Sequence, residues 1–172
     1  MAERNSPTKE PELVITRVFD APRELVFRVW TDPKHVVHWW GPRGFTAPFI
    51  KIDLRVGGSF HYCMRSPDGK EYWTKGVYRE IVAPEKIVST MYFSDKEGNF
   101  VEPAHYGFGP DVPSEMLDTV TFSTHEGNKT KLTLHRNTPI SISKRYMEDQ
   151  GWAQSLERFA EELTRTRSPD EA

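Results

Sequence analysis

The sequence predicts an α+β domain with an antiparallel sheet, and three features of its pattern indicate this class. Several short stretches alternate apolar with polar residues, as strands with one buried face do, and tight turns separate them. Two short helical stretches lie between the first strand and the others. A long amphipathic helix follows the last strand, so we expect a curved sheet of about six to seven strands with that helix across one face.

The first two elements are a strand and a helix. Leu13 and Ile15 alternate with polar residues in the segment ELVITRVFDAP, which predicts a strand. Asp20 can accept a hydrogen bond from a free N–H at the start of a helix, and Pro22 suits the first helical turn. The segment RELVFRVW then places its apolar residues along one helical stripe.

A second short helix follows directly. Thr31-Asp32-Pro33 ends the first helix and starts the next, which we expect to reach Trp39. Gly41-Pro42 cannot continue a helix, so the sequence predicts a sharp change of direction there.

Six further strands are predicted after this break. Gly57-Gly58 ends the first of them, and Asp68-Gly69 is a strong signal for a hairpin turn. Glu126-Gly127-Asn128 marks another hairpin near the end of the sheet. The predicted strands are FTAPFIKIDLRV, SFHYCMRS, EYWTKGVYREI, KIVSTMYF, LDTVTFSTH and TKLTLHR.

The last predicted element is a single long helix from Ile142 to Arg165. Its apolar residues recur at helical spacing, and burying each such side chain contributes roughly 2 kcal/mol. Gly151 lies inside the segment and marks either a bend or a close approach. The predicted buried face is Trp152, Leu156, Phe159 and Leu163, and the predicted solvent face is Glu157, Arg158, Glu161 and Glu162.

Length and composition fit one domain. We place it at residues 13–166, between polar tails at 1–12 and 167–172 that are predicted to be disordered. The 23 basic and 25 acidic residues argue against a nucleic acid or a membrane surface as the partner. Cys63 is the one cysteine, and MAERNSPTKEPE has no apolar stretch of a secretory signal, so we expect a cytoplasmic protein. No segment approaches the ~20 apolar residues of a membrane span.

The stretch HVVHWWGP, residues 35–42, raises the question of a binding pocket. Adjacent helical residues point about 100° apart, so Trp39 and Trp40 cannot share one environment. We expect one to pack in the core and the other to lie near the mouth of a gap between the short helices and the sheet. The competing interpretation is that both are structural.

Residues that face this gap are predicted from strand alternation and from the apolar side of the long helix. Tyrosine hydroxyls need partners when they are buried, so the tyrosines among these residues favour a cavity that also carries polar groups. The predicted lining residues are Trp39, Trp40, Phe60, Tyr62, Met64, Tyr78, Tyr92, Tyr106, Phe108, Phe122, Trp152, Leu156 and Phe159.

A long loop, Ser94 to Met116, carries several of the aromatic residues. Loops longer than about 15 residues often serve as lids or binding segments. We expect this one to cover the cavity with Tyr106 and Phe108 pointing inward. The alternative is a surface loop that packs on itself.

The sequence predicts no metal ligand, no cofactor and no catalytic residue. His35 and His38 stand three residues apart, but no third ligand clusters with them. No nucleophile motif appears. Acid–base candidates exist, although the sequence leaves their mutual geometry open; they are Glu80, His105 and Asp118.

Five segments, taken in order, resemble one family. They are FDAPRELVFRVWTDPKHVVHWWGP, DLRVGGSFHYCMRSPDG, GVYREIVAPEKIVST, TVTFSTHEGNKTKLTL and GWAQSLERFAEEL. The chain is similar to the START-like (SRPBCC) superfamily, whose helix-grip fold is also that of birch-pollen-allergen-like proteins. Within it, the chain resembles the group named after the C-terminal domain of the heat-shock-protein-90 ATPase activator. This resemblance implies a curved antiparallel sheet that grips a C-terminal helix around an internal cavity.

The resemblance leaves three functions open. Relatives in the superfamily bind lipids, hormones or polyketides, which implies binding of a small hydrophobic or amphipathic molecule. The family name implies an alternative, a co-chaperone-like domain that contacts a chaperone or a client protein in the stress response. The third is an enzyme acting on an aromatic or polyketide-like substrate, although the residues themselves favour a protein that is not an enzyme. The sequence leaves a homodimer open.

Overall fold

The structure is a computed structural model that describes residues 10–166. The tails predicted at 1–12 and 167–172 therefore lie outside the described residues, except for the last three residues of the first. There, the Glu10 carboxylate accepts hydrogen bonds from the backbone N–H and the hydroxyl of Ser141, at 2.7 and 3.0 Å. The Pro11 carbonyl accepts a hydrogen bond from the N–H of Ile140 at 2.9 Å.

Seven antiparallel strands form one curved, open sheet, and the helix-grip α+β fold predicted from the sequence is confirmed. Strands two to seven form a meander, and the first strand pairs with the seventh, so the order across the sheet is β1-β7-β6-β5-β4-β3-β2. The strands are β1 (Glu12–Phe19), β2 (Thr46–Ile52), β3 (Ser59–Arg65), β4 (Glu71–Val82), β5 (Lys86–Ser94), β6 (Met116–His125) and β7 (Lys129–Pro139).

Within residues 10–166, four α-helices and one 3-10 helix complete the fold. Helix α1 packs on β6 and β7, helix α2 on β2, and the last helix on β1 and on the two short helices. None of the helices in residues 10–166 is both long enough and apolar enough to cross a membrane. The helices are α1 (Arg23–Thr31), α2 (Pro33–Trp39), the 3-10 helix (Pro103–Tyr106), α3 (Ile140–Arg145) and α4 (Glu148–Thr166).

The two short helices begin where the sequence predicts, but only one of the two expected caps is an aspartate. Asp32 caps α2, because its carboxylate accepts a hydrogen bond from the N–H of Lys34 at 2.9 Å. The prediction that Asp20 caps α1 is wrong. The N-cap of α1 is Pro22, with extended backbone and no side-chain cap bond, and Asp20 lies two residues too early for that role.

The predicted buried face of the last helix is confirmed. Trp152, Leu156, Phe159 and Leu163 are all buried under α4. The Phe159 ring is fully buried, with centroids 5.0 Å from Trp39, 5.1 Å from Phe19 and 5.4 Å from Trp30. This one side chain therefore joins α4 to β1, α1 and α2.

The single long helix predicted from Ile142 to Arg165 is wrong, because the segment forms two helices. Met147 separates α3 from α4 with a left-handed backbone at φ 60°. A helix cannot continue through such a residue. Gly151 lies beyond the break in the first turn of α4 and marks a close approach, since a Cβ placed there would lie 3.4 Å from Pro42 Cγ.

Glu162 was also predicted wrongly, on the solvent face of the last helix. It is 5% exposed, and its carboxylate lies 2.7 Å from Nδ1 of His35 and 2.7 Å from Nη2 of Arg165. Helical spacing alone could not reveal this pairing, because the partner His35 belongs to α2 and comes close only in the folded chain.

We expect Phe159→Ala to lower the free energy of unfolding by about 3–5 kcal/mol, because it removes a ring from the point where four elements meet. Thr164→Ala, on the exposed side of the same helix, is the control and should change stability by less than about 0.5 kcal/mol. Urea unfolding of both variants measures this. A loss below about 1 kcal/mol for Phe159→Ala would contradict the central packing role.

We expect Met147→Gly to be more stable than Met147→Ala by about 1 kcal/mol, since glycine adopts a positive φ without the Cβ clash. The alanine variant is the matched control, because it removes the same side chain and keeps the strain. At an ordinary helical position the alanine variant would be more stable than the glycine variant. Urea unfolding that finds the alanine variant equal or more stable would rule out the left-handed break.

Candidate functional site

A cavity of about 350 Å³ lies between the concave face of the sheet and helices α3 and α4. Strands β3 to β7 supply its floor, and the segment after α2 and the loop before β6 close its sides. Its lining residues are Trp40, Gly41, Pro42, Phe45, Met64, Tyr72, Thr74, Met91, Phe93, Phe108, Val112, Met116, Arg136, Thr138, Ile142, Tyr146, Met147, Glu148, Gly151, Trp152 and Ser155.

Two tryptophans form one wall of the cavity. The rings of Trp40 and Trp152 meet edge to face, with centroids 5.6 Å apart. Behind them, Trp152 stacks on Trp30 at 6.1 Å, and Trp40 packs against Tyr62 at 4.6 Å. The wall therefore rests on the packed core, which fixes the orientation of both indoles.

Arg158 holds the chain segment that carries Trp40. Its guanidinium donates hydrogen bonds to the carbonyls of His38, Trp40, Gly41 and Pro42, at 2.8 to 3.3 Å. These carbonyls lie at and beyond the end of α2, where no helical N–H is available to them. Partial burial lowers the pKa of Arg158, with Arg43 nearby adding to the effect. The side chain thereby anchors this edge of the cavity to α4.

The loop between β5 and β6 closes the other side. The Phe108 ring stacks on Phe93 of β5 at 5.2 Å and meets the edge of Tyr146 at 5.4 Å. The Tyr146 hydroxyl accepts a hydrogen bond from the N–H of Gly109 at 3.0 Å and donates one to Asp111 at 3.1 Å. Asp111 also pairs with Arg145. The loop is thus bound to the end of α3.

A buried ionic cluster forms the polar end of the cavity. Arg136, on β7, is 4% exposed and donates two parallel hydrogen bonds to Asp118, at 2.7 and 2.8 Å. A third goes to Oε2 of Glu148, the first residue of α4, at 2.6 Å. The guanidinium also lies over the Trp152 ring, 5.5 Å from its centroid. Burial alone would lower the pKa of Arg136, but the two carboxylates raise it above its ordinary value.

Three side chains of the cavity wall keep a buried polar atom that has no hydrogen-bond partner. They are Thr74 Oγ1, Thr138 Oγ1 and Glu148 Oε1. In residues 10–166 only five buried side-chain polar atoms lack a partner, so three of the five belong to this wall. Each such atom costs about 1–3 kcal/mol, which a suitable ligand group could recover.

Four of the thirteen predicted residues line this cavity: Trp40, Met64, Phe108 and Trp152. Trp39 and Trp40 do face different environments, as expected. Trp39 is 1% exposed, and its indole N–H donates to the Val29 carbonyl at 3.0 Å inside the core.

Seven predicted residues are packed core and do not line the cavity. The sheet and helix faces were identified correctly. Alternation shows which side chains point to the concave face, but it cannot show which of them pack against other side chains and which border the cavity. Burial, the largest cause, raises the pKa of both Tyr62 and Tyr78, so these hydroxyls stay protonated. The seven are Trp39, Phe60, Tyr62, Tyr78, Phe122, Leu156 and Phe159.

The two remaining tyrosines were placed wrongly. Tyr92 lies on the outer face of the sheet against Phe100, because the cavity face of β5 is formed by its neighbours Met91 and Phe93. Tyr106 lies behind the cavity wall. Its hydroxyl donates to the Ser94 carbonyl at 2.5 Å and accepts from the N–H of Trp73 at 3.2 Å, so it bridges β4 and β5.

The prediction missed lining residues on β4, β5, β6, β7 and α3, at the start of α4 and in the segment after α2. Reading β5 in the other register would have found Met91 and Phe93, and the same alternation on β4 and β6 points to Tyr72 and Met116. No sequence signal marks the α3 residues, since their position depends on the break at Met147. The missed residues with large side chains are Phe45, Tyr72, Met91, Phe93, Met116, Arg136, Ile142, Tyr146, Met147 and Glu148.

The acid–base candidates do not come together. Asp118 is bound to Arg136, Glu80 is exposed and lies 3.6 Å from Lys86, and His105 is exposed in the 3-10 helix. Cys63 is fully buried on the sheet, and burial raises the pKa of its thiol to about 11. Such a thiol is protonated and unreactive at neutral pH.

The histidine pair of α2 is not a shared ligand set. His35 lies against Glu162, whereas His38 is exposed. Within the described part of the chain, no three or more His, Cys, Asp or Glu side chains are grouped so that they could hold a metal ion.

Comparison with solved structures identifies the same fold in several other proteins. A protein from Arthrobacter aurescens is 24% identical, with a TM-score of 0.74 over 88% of this chain and 85% of that one. A Chromobacterium violaceum protein is 26% identical, with a TM-score of 0.68 over 87% and 95%. The AHSA1 protein from Silicibacter pomeroyi is 22% identical, with a TM-score of 0.69 over 91% and 100%.

The family model described as Activator of Hsp90 ATPase homolog 1-like protein matches residues 20–164. Comparison with curated proteins gives no match. The matched range runs from the start of the helical segment after β1 almost to the end of α4, and so includes every strand but β1. The chain therefore belongs to the activator of Hsp90 ATPase homolog 1-like family of START-like helix-grip proteins.

Proposed function

We propose that this protein binds a small apolar or amphipathic molecule in the cavity between the sheet and helices α3 and α4. The observation that carries the proposal is the cavity itself, about 350 Å³ with mainly aromatic and methionine walls. Binding sites for small molecules occupy about 300–1,000 Å³, so the volume favours a compact ligand. The family fold supports a ligand-binding or co-chaperone-type domain in general.

The wall composition explains how such a molecule would be held. Flat rings from Trp40, Trp152, Phe93 and Phe108 present apolar faces on opposite sides of the space. Burying apolar ligand surface against them contributes about 25 cal/mol per Å². Met64, Met91 and Met116 are flexible and adapt to ligand shape. A compact ring system fits these walls better than a long chain.

We infer that the protein acts in the cytoplasm. The lone cysteine supports this, since it is buried, unpaired and suited to a reducing compartment. A homodimer stays a prediction.

We expect the neutral fluorescent probe N-phenyl-1-naphthylamine to bind saturably with one site per chain and to be displaced by smaller aromatic molecules. Phe108→Ala should weaken its affinity roughly tenfold, because the substitution removes one face of the cavity. The measurement is a fluorescence titration, with thermal melts to establish that each variant is folded.

Tyr92→Ala is the matched control for this titration. Tyr92 is a half-buried aromatic residue of the same sheet, but it lies on the outer face. Its replacement should leave probe affinity within about twofold. Absence of saturable binding by the unmodified protein, or equal weakening by both substitutions, would contradict the proposal.

The family description favours a second candidate, a co-chaperone-like domain that contacts a chaperone or a client protein. Exposed apolar side chains at the sheet edges, Val14 and Val18 on β1 and Leu54 and Val56 after β2, offer contact surface for it. One experiment distinguishes the two candidate functions. Stimulation of an Hsp90-type ATPase by a protein that binds no aromatic probe would favour the co-chaperone function.

A further inference from the structure

We propose that the ligand carries a hydrogen-bond donor, a hydroxyl or an ammonium group, that is received by Glu148 and Thr138, and that carboxylate ligands are rejected. This inference rests on the proposed function, because it specifies the chemistry of the molecule bound in the same cavity. It depends on three features of the polar end: unpartnered atoms, their hydrogen-bonding type and the local charge.

The first feature is the unused bonding capacity at this end. Oε2 of Glu148 is held by Arg136 at 2.6 Å, which fixes the carboxylate, whereas Oε1 has no partner. Thr138 lies two residues after Arg136 on the same face of β7, is 3% exposed, and has an unpartnered hydroxyl. Both side chains line the cavity, and Arg136, which holds Glu148, lies two residues from Thr138 on β7.

The second feature is the type of hydrogen bond that is offered. An ionised carboxylate accepts hydrogen bonds and donates none, whereas a threonine hydroxyl does either. Arg136 is the donor of this cluster, and three of its five N–H groups are engaged, two on Asp118 and one on Glu148. The two atoms that have no partner at this end are a carboxylate oxygen, which only accepts, and a hydroxyl, which also accepts, so a ligand donor complements both.

The third feature is charge. Arg136 contributes one positive charge, and Asp118 and Glu148 contribute two negative ones, so the cluster carries a net charge of +1 − 2 = −1. Asp118 is 8% exposed, so water screens this charge weakly. A ligand carboxylate would face repulsion here, whereas an ammonium group would be attracted and a hydroxyl would bond without charge.

The remainder of the cavity determines the size and polarity of the rest of the ligand. Thr74, the other unpartnered hydroxyl, lies on β4, three strands away from Thr138, a separation of about 14 Å across the sheet. Between them the floor is apolar, with Met91, Phe93 and Met116. The ligand class is thus a compact aromatic or ring-based alcohol or amine with its polar group at the α4 end.

The test uses four probes with one ring system and different polar groups. They are 2-naphthalenemethanol, 2-naphthylmethylamine, 2-naphthoate and 2-methylnaphthalene, each titrated against N-phenyl-1-naphthylamine at pH 7. We expect the alcohol and the amine to bind at least tenfold more tightly than the methyl compound, and the carboxylate to bind most weakly. The alcohol and amine arms separate the contribution of the hydrogen bond from that of charge.

Two variants then test whether Glu148 and Thr138 cause the preference for probes with a hydrogen-bond donor. Glu148→Gln brings the charge of the cluster to zero and should reduce the advantage of the amine at least tenfold, while 2-methylnaphthalene changes less than twofold. Thr138→Val removes the hydroxyl at nearly constant shape and should reduce the advantage of the alcohol several-fold. Glu157→Gln, on the exposed side of α4, is the matched control and should alter none of the affinities.

The outcomes separate this inference from the proposed function. Equal binding of all four probes, or tightest binding of the carboxylate, would overturn the donor preference and leave the cavity function standing. A donor preference that survives in both Glu148→Gln and Thr138→Val would overturn the assignment to this end of the cavity. Failure of every probe, including N-phenyl-1-naphthylamine, would overturn both proposals. Thermal melts exclude unfolding as the reason for any loss.

Discussion

The structure depends on one geometric constraint, which is that a single helix cannot cover a seven-stranded sheet. Six spacings of about 4.8 Å give a sheet about 29 Å wide, whereas a helix with its side chains is about 10–12 Å across. Phe159, Leu156 and Leu163 of α4 are buried on the side near β1, whereas α1 packs on β6 and β7 and α2 packs on β2 at the opposite edge. Shorter segments cover the concave surface of the middle strands, namely α3, the segment after α2 and the loop before β6. They do not fill the space beneath them, and this space is the cavity.

The break at Met147 determines how those pieces meet. Because α3 and α4 are separate, Tyr146 at the end of α3 contacts Phe108 and Gly109 of the loop, while α4 begins with Glu148 beside Arg136. One left-handed residue thus places an aromatic side wall and a carboxylate at the same cavity. In a continuous helix the side chains of residues 146 and 148 would point about 200° apart, so they could not both reach the same cavity.

The fold could be predicted almost completely from the sequence, but the cavity could not. Periodicity identifies the strands, the short helices and the buried face of α4, because these are local consequences of alternation and helical spacing. It also selects inward-facing residues such as Phe60 and Phe122, which prove to be core. Whether an inward side chain meets another side chain or open space depends on contacts between distant segments, as Trp40 with Trp152 illustrates. Tyr92 is a different error, a register misread by one residue.

The distribution of unsatisfied polar atoms argues that the cavity is more than a packing defect. Among the other buried hydroxyls, Thr130 donates to the Ala21 carbonyl at 2.7 Å, Ser155 on the cavity wall donates to that of Trp39 at 2.7 Å, and Ser143 in α3 has no partner. Thr74 and Thr138, which are 9% and 3% exposed, have no hydrogen-bond partner within the protein and lie on the cavity wall. A valine at either position would fill the same volume without the cost of about 1–3 kcal/mol. A ligand group beside either threonine would give its hydroxyl the partner that the protein itself does not supply.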